Sequence, residues 1–178
     1  MTTSFDILEL VQAALLSATD AEDRVYRPGD WPAQPDLMPM WKLKVFAEDR
    51  QSISRSGPPE FTTTATIRMI GQVQAPADED DAGASVAEQA LWRMKRQADV
   101  AVINSYPLTS TIQQIASVRS QPVFNADGSL HVGAIQIDLA IEFYEGPESF
   151  APVQADDLAE LDLTASNYPP AATTVPLT

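Results

Sequence analysis

The sequence predicts an α/β fold of the α+β kind: a mixed, mainly antiparallel β-sheet with helices packed on it. Two observations predict the sheet and a third predicts its cover. From Phe61 to Gln74 the chain alternates, with Phe61, Thr63, Ala65, Ile67, Met69, Gly71 and Val73 on one face. From Ser129 to Glu145 it alternates again, with Ile135, Ile137, Leu139, Ile141 and Phe143 on one face. Period-two alternation over so many residues is a strand signal, and both runs are about twice the ~5–6 residues of an ordinary strand. Between them, Ala87, Ala90, Leu91, Met94, Ala98 and Ala101 recur at helical spacing. Strands this long suit a sheet that serves an assembly as well as its own core.

The elements follow in order. Residues 4 to 18 read as a helix with Ser4 as cap, Asp6 and Glu9 in the early turns, and Phe5, Leu8, Val11, Ala14 and Leu15 on one face. Arg24-Val25-Tyr26 reads as a short extended piece. Pro28, Pro32, Pro35 and Pro39 then exclude regular structure and predict a long, protruding connection. Trp41 to Glu48 alternates Trp41, Leu43 and Val45 against Lys42, Lys44 and Phe46, as an edge strand guarded by lysines would. Asp49 to Glu60 is rich in serine and proline and reads as a loop.

After the first long strand, Ser85 and Glu88 have the spacing of a capping box, which predicts a helix from Ser85 to about Asn104, ended by Tyr106-Pro107. Ile112 to Val118 reads as a third strand. Asn125-Ala126-Asp127-Gly128 reads as a turn that makes this strand and the second long one a hairpin. Gly146-Pro147 stops the last strand. The organisation is therefore a single domain over 1–150 and an acidic to proline-rich arm over 151–178, with at most one short helix.

Composition narrows the function. The chain has 178 residues, no cysteine, one histidine and a formal net charge of −14. Cysteine nucleophiles, thiolate zinc sites and disulfides are excluded at once. Only 11 Lys and Arg oppose the acids, which argues against a nucleic-acid partner even though Arg93, Lys95 and Arg96 cluster on the second helix. No apolar run approaches the ~20 residues of a membrane helix. Met1-Thr2-Thr3-Ser4 leads directly into an amphipathic pattern without the basic and apolar segments of a secretion signal.

No constellation of residues points to catalysis, and no cofactor or metal is expected. His131 stands without a second histidine or a cysteine, near the start of a strand, so Ser-His-Asp chemistry has little to rest on. Asp78, Glu79, Asp80 and Asp81 are contiguous, unlike the alternating acids, glycine and final glutamate of a calcium loop; they read as a solvated loop or a charged subunit contact. The seven glycines form neither a dinucleotide fingerprint nor a phosphate loop, and Gly71 reads as a bulge in its strand. Trp31 and Trp41 flank the proline-rich stretch as core anchors or partner contacts. In the arm, Leu158, Leu161 and Tyr168 are apolar enough to expect a partner surface.

Helix, Arg24-Val25-Tyr26, proline-rich loop, edge strand, long strand, capped helix and a hairpin ending Ile137-Asp138-Leu139-Ala140-Ile141-Glu142-Phe143-Tyr144-Glu145-Gly146-Pro147 form an order that resembles the tail terminator proteins of long-tailed bacteriophages and prophages. The resemblance covers about residues 5 to 147 and is one of pattern and length. It implies a mixed sheet with packed helices and a homo-oligomeric ring, hexameric in that family. It further implies partners in the tail tube protein and the head–tail connector proteins, a place in the virion after synthesis in the host cytoplasm, and no active site. The rival readings are a related neck or head–tail joining protein, a small acidic metal-dependent enzyme, and an acidic binding module. Subunit stoichiometry separates them, because a ring favours the first and a monomer the last two.

Overall fold

The computed structural model describes residues 2–28, 37–76, 82–127 and 130–151, together with 160–161 and 175–176. Helix α1 runs Ser4–Leu15, followed by strands β1 (Val25–Tyr26), β2 (Met40–Ser52) and β3 (Phe61–Pro76). Helices α2 (Ala82–Ile103) and α3 (Tyr106–Thr109) precede strands β4 (Gln114–Asp127) and β5 (Leu130–Glu145). A 3-10 turn, Pro147–Phe150, follows, and β6 (Glu160–Leu161) pairs antiparallel with β7 (Val175–Pro176).

The main sheet has five strands in the order β1-β2-β3-β5-β4. Only β1 with β2 is parallel; the other three pairings are antiparallel. The α+β fold with a mixed sheet is thus the observed one. At the centre, β3 and β5 pair without interruption from Phe61↔Glu145 to Pro76↔Leu130. Each of these strands has 16 residues and spans about 50 Å. Their alternation does what the sequence implied: Thr63, Ala65, Ile67, Met69 and Val73 of β3, and Ile135, Ile137, Leu139, Ile141 and Phe143 of β5, are buried under the helices.

The helices lie on that one face. From α1, Ile7, Leu8, Val11 and Leu15 enter the core, and from α2, Ala87, Leu91, Met94, Ala98 and Val102. Phe5, expected on the inner face of α1, points outward and carries the Arg27 guanidinium 4.6 Å from its ring centre. The first-turn cap is Thr3, one residue before the expected Ser4. Its hydroxyl accepts from the Asp6 amide at 3.2 Å, and the Asp6 carboxylate accepts from the Thr3 amide at 2.8 Å. Ser4 instead turns inward and donates to Glu48.

Three further expectations are corrected. Helix α2 begins at Ala82, so Ser85 is an interior residue whose hydroxyl accepts from Gln89 at 3.4 Å and caps nothing. Ala82 and Ala84 are the strongest of helix formers and carry the helix past the local capping signature. Strand β4 continues to Asp127, so Asn125 to Asp127 pair with β5 where a turn was expected. Gly71 sits in unbroken register, so it is no bulge; the bulges lie between Val45 and Ala47 in β2 and between Ile115 and Ser117 in β4. What Gly71 provides is room, since a Cβ there would meet Trp41 and Met94 atoms at 2.7 Å.

Candidate assembly surface

The bulge in β2 determines what faces the core beyond it. Before it, Trp41, Leu43 and Val45 pair with Gly71, Met69 and Ile67; after it, Glu48 and Arg50 pair with Ala65 and Thr63 and take over the helix side. Arg50 thereby reaches Glu145, the end of β5, at 2.8 Å, and Glu48 at 2.9 Å. Thr63 donates to the same Glu145 oxygen. The Phe150 ring packs edge-on against Phe61 at 5.3 Å, with the Arg50 guanidinium 5.9 Å away. Every charged group in this cluster has an opposite charge or a donor, and the Arg50 guanidinium is held above its usual range chiefly by the Glu145 hydrogen bond. Such a closed network fastens the three strands together.

A second polar cluster joins the loop after α1 to α2. The Asp20 carboxylate accepts from Gln97 at 2.8 Å and from Arg93 at 2.7 Å, and these bonds, Gln97 first, hold it below the ordinary carboxylate range. Beside it a cleft of about 250 Å³ is lined by Pro39, Val73, Ala90 and Met94 as well as Asp20 and Arg93. Its charged groups neutralise each other and present no nucleophile. Among the described residues, no three acidic or histidine side chains come together as a metal site.

Among the described residues, the helices cover one face of the sheet. On the other, Arg68 makes a bidentate pair with Asp138 at 2.7 and 2.9 Å and stacks on Phe46 at 3.3 Å. Lys44 lies 5.8 Å from the same ring, and Gln136 donates to Asp138 at 3.1 Å. Asp138 is held low chiefly by the Arg68 hydrogen bonds. This face carries paired charges around Asp138 together with the exposed apolar side chains of Phe46, Val123 and Tyr144.

Strand β4 differs from every other part of the sheet. It has 14 residues and, among the described residues, pairs only with β5. Helix α2 packs chiefly on β3 and β5. Past its bulge, Val118 pairs with core-facing Leu139 and Val123 with Ala134 of the bare face; they remain 42% and 57% exposed. Arg119, between them in sequence, lies across from Asp138 and adds its charge to that of Arg68 there. Outward on α2 and α3, Trp92, Val100, Ile103 and Tyr106 are exposed as well. An open edge with apolar side chains above and below it is the surface most in need of a partner.

Of the residues singled out in the sequence, Trp41 is wholly buried, and its indole N–H donates to Thr19 at 3.2 Å, so it belongs to the core rather than to a contact surface. Trp31, Asp78, Glu79, Asp80, Asp81, Leu158 and Tyr168 lie outside the described residues, and Leu161 is described by its backbone pairing with Val175 alone. His131 has its backbone between Ala75 and Ala126 in the sheet; its side chain lies outside the described set. Sequence reasoning missed the Glu145 network and the length of β4. The signal for β4 was present in Val118, Ser120 and Pro122, which alternate against Arg119, Gln121 and Val123.

No family model and no curated protein matches the chain. Among solved structures it is similar to a chain of the virion of a native gene transfer agent (GTA) particle. That likeness has 14% identity and a TM-score of 0.32, and covers 78% of this chain and 91% of the other. Among the described residues, no helix is long and apolar enough to cross a membrane.

Proposed function

We propose that the chain is a structural subunit of a phage-type virion. In this reading it closes into a ring, with six copies as the expected number, on the end of the tail tube. There it stops tube growth and offers the surface to which the head is joined. It performs no catalysis.

The observation that carries the reading is the asymmetry of the sheet. One edge ends in the two-residue β1, while the other ends in the long β4. Unlike edges favour head-to-tail association, and a head-to-tail contact generates a ring when the rotation closes. The order of elements that resembles tail terminators supports the same reading. So does the acidic balance of −14, which keeps separate subunits soluble until a template collects them.

The test is mass by light scattering across a wide range of protein concentrations, with and without tail tube protein, followed by negative-stain microscopy. Rings, free or seated on tube ends, are the expected result. A strict monomer under both conditions overturns the proposal. A ring that ignores the tube and binds connector protein assigns the chain to the neck instead.

A further inference from the structure

We infer that the open edge of β4 is completed by residues 157–163 of a second copy of this chain, which add to it as a strand. The inference rests on the ring reading for the existence of a neighbour.

The edge itself is the first ground. Among the described residues, the fourteen of β4 pair on one side only, and although Pro122 removes one donor, the remaining backbone groups on the outer side are a template for another strand. The side chains flanking that edge specify what fits. On the helix side lies Val118; on the bare side lie Arg119, opposite Asp138 whose other side is held by Arg68, and the exposed Val123.

The segment Asp157-Leu158-Ala159-Glu160-Leu161-Asp162-Leu163 matches both sides. As a strand it places Asp157, Ala159, Leu161 and Leu163 on one face and Leu158, Glu160 and Asp162 on the other. The first face brings Ala159, Leu161 and Leu163 to Val118 and the flank of α2, and the second brings Glu160 and Asp162 to Arg119 and Leu158 to Val123. The match holds whichever way the strand runs, because alternation is unchanged by direction. Glu160 and Leu161 are already extended as β6, paired on one side with β7, a ladder of two residues. A ribbon that short gains its stability from a larger sheet.

The path of the chain selects the neighbour over the chain's own β4. After β5 the backbone turns toward β3 and β2, where Phe150 packs on Phe61 and approaches Arg50. That is the side of β5 opposite β4. In a head-to-tail ring, this side faces the next subunit's β4. Residues 152–157 span about 20 Å when extended, enough to cross a subunit boundary.

The absence of cysteine makes the test direct. Gln121→Cys and Glu160→Cys are made singly and together in the full chain, then oxidised or treated with a short bismaleimide that tolerates a register offset. Inter-chain products from the double variant, and a mixed dimer from the two single variants, are expected. Arg119→Glu should weaken association several-fold, and Glu160→Arg with Asp162→Arg should restore it. Cross-links confined within one chain overturn the exchange between copies. Rings that form without any cross-link overturn the role of the arm while leaving the ring intact. A monomer without cross-links removes both.

Discussion

Glu145 and Arg50 are joined across an intervening strand: the carboxylate ending β5 accepts from the Arg50 Nε–H of β2 at 2.8 Å while Thr63 of β3 donates to the same oxygen. The carboxylate is 2% exposed, whereas Arg50 keeps a flank in water. Three strands are thus clasped at one end of the sheet by a single side chain.

Removing that carboxylate leaves a guanidinium with one partner fewer and a buried hydroxyl without its acceptor. Glu145→Ala should destabilise the domain by about 2–4 kcal/mol. Glu145→Gln, which can still accept from Thr63, should cost less. Urea unfolding followed by tryptophan fluorescence checks the order. Equal midpoints for wild type and Glu145→Ala would mean that the clasp contributes nothing.

Gly71 tests how tightly the core is packed. A methyl group there collides with Trp41 from β2 and Met94 from α2. Gly71→Ala should lose about 1–3 kcal/mol by overpacking, despite the better strand propensity of alanine. A paired Met94→Ala change, which vacates the space, should recover part of that loss in the same unfolding assay.

The two helices separate capping from packing. Leu91→Ala should cost about 2–5 kcal/mol, because the residue is fully buried. Thr3→Ala should cost about 1 kcal/mol through the broken capping box of α1. Ser85→Ala should stay within about 0.5 kcal/mol of wild type, because Ser85 lies inside α2. Thermal melts of the three variants rank them directly.

Acid should weaken the fold through two carboxyls in particular. Folding depresses Asp138, chiefly by the Arg68 hydrogen bonds, and Asp20, chiefly by Gln97 and then Arg93. A depressed carboxyl stabilises the fold above its unfolded pKa, near about 4, and that contribution disappears as pH falls through the lower folded value. Stability should therefore hold near neutrality and fall below about pH 4. Asp138→Asn should be weaker at neutral pH and lose less on acidification. A urea series at descending pH measures both slopes.

The central strands were legible because alternation is a property of the sequence itself: Ile135, Ile137, Leu139, Ile141 and Phe143 declare a face before any partner is known. Helix ends were less legible. Thr3 and Ser4 are both competent caps, and only Glu48, 44 residues away, takes the Ser4 hydroxyl and leaves the cap to Thr3. The Glu145 network was illegible for the same reason, since its members are 82 and 95 residues from their acceptor. The β2 bulge hid it further by shifting the phase of alternation at Phe46. Trp41 could be read as core or contact from its neighbours, and burial beneath Gly71's open space decided for the core.

The two bulges share a level. In β2 the extra residue falls beside Thr66 and Ile67; in β4 it falls beside Ala140 and Ile141; and Thr66 pairs with Ala140. A crease therefore crosses the sheet from edge to edge, with the unbroken β3–β5 ribbon running through it. Bulges raise local twist, so the end of the sheet that carries Glu145 stands at an angle to the rest. The phase is held by the bulge: were Phe46 to take a regular pairing position instead of bulging, Glu48 and Arg50 would turn to the bare face and leave Glu145 facing the core alone. The ion pair acts as a phase lock on the crease.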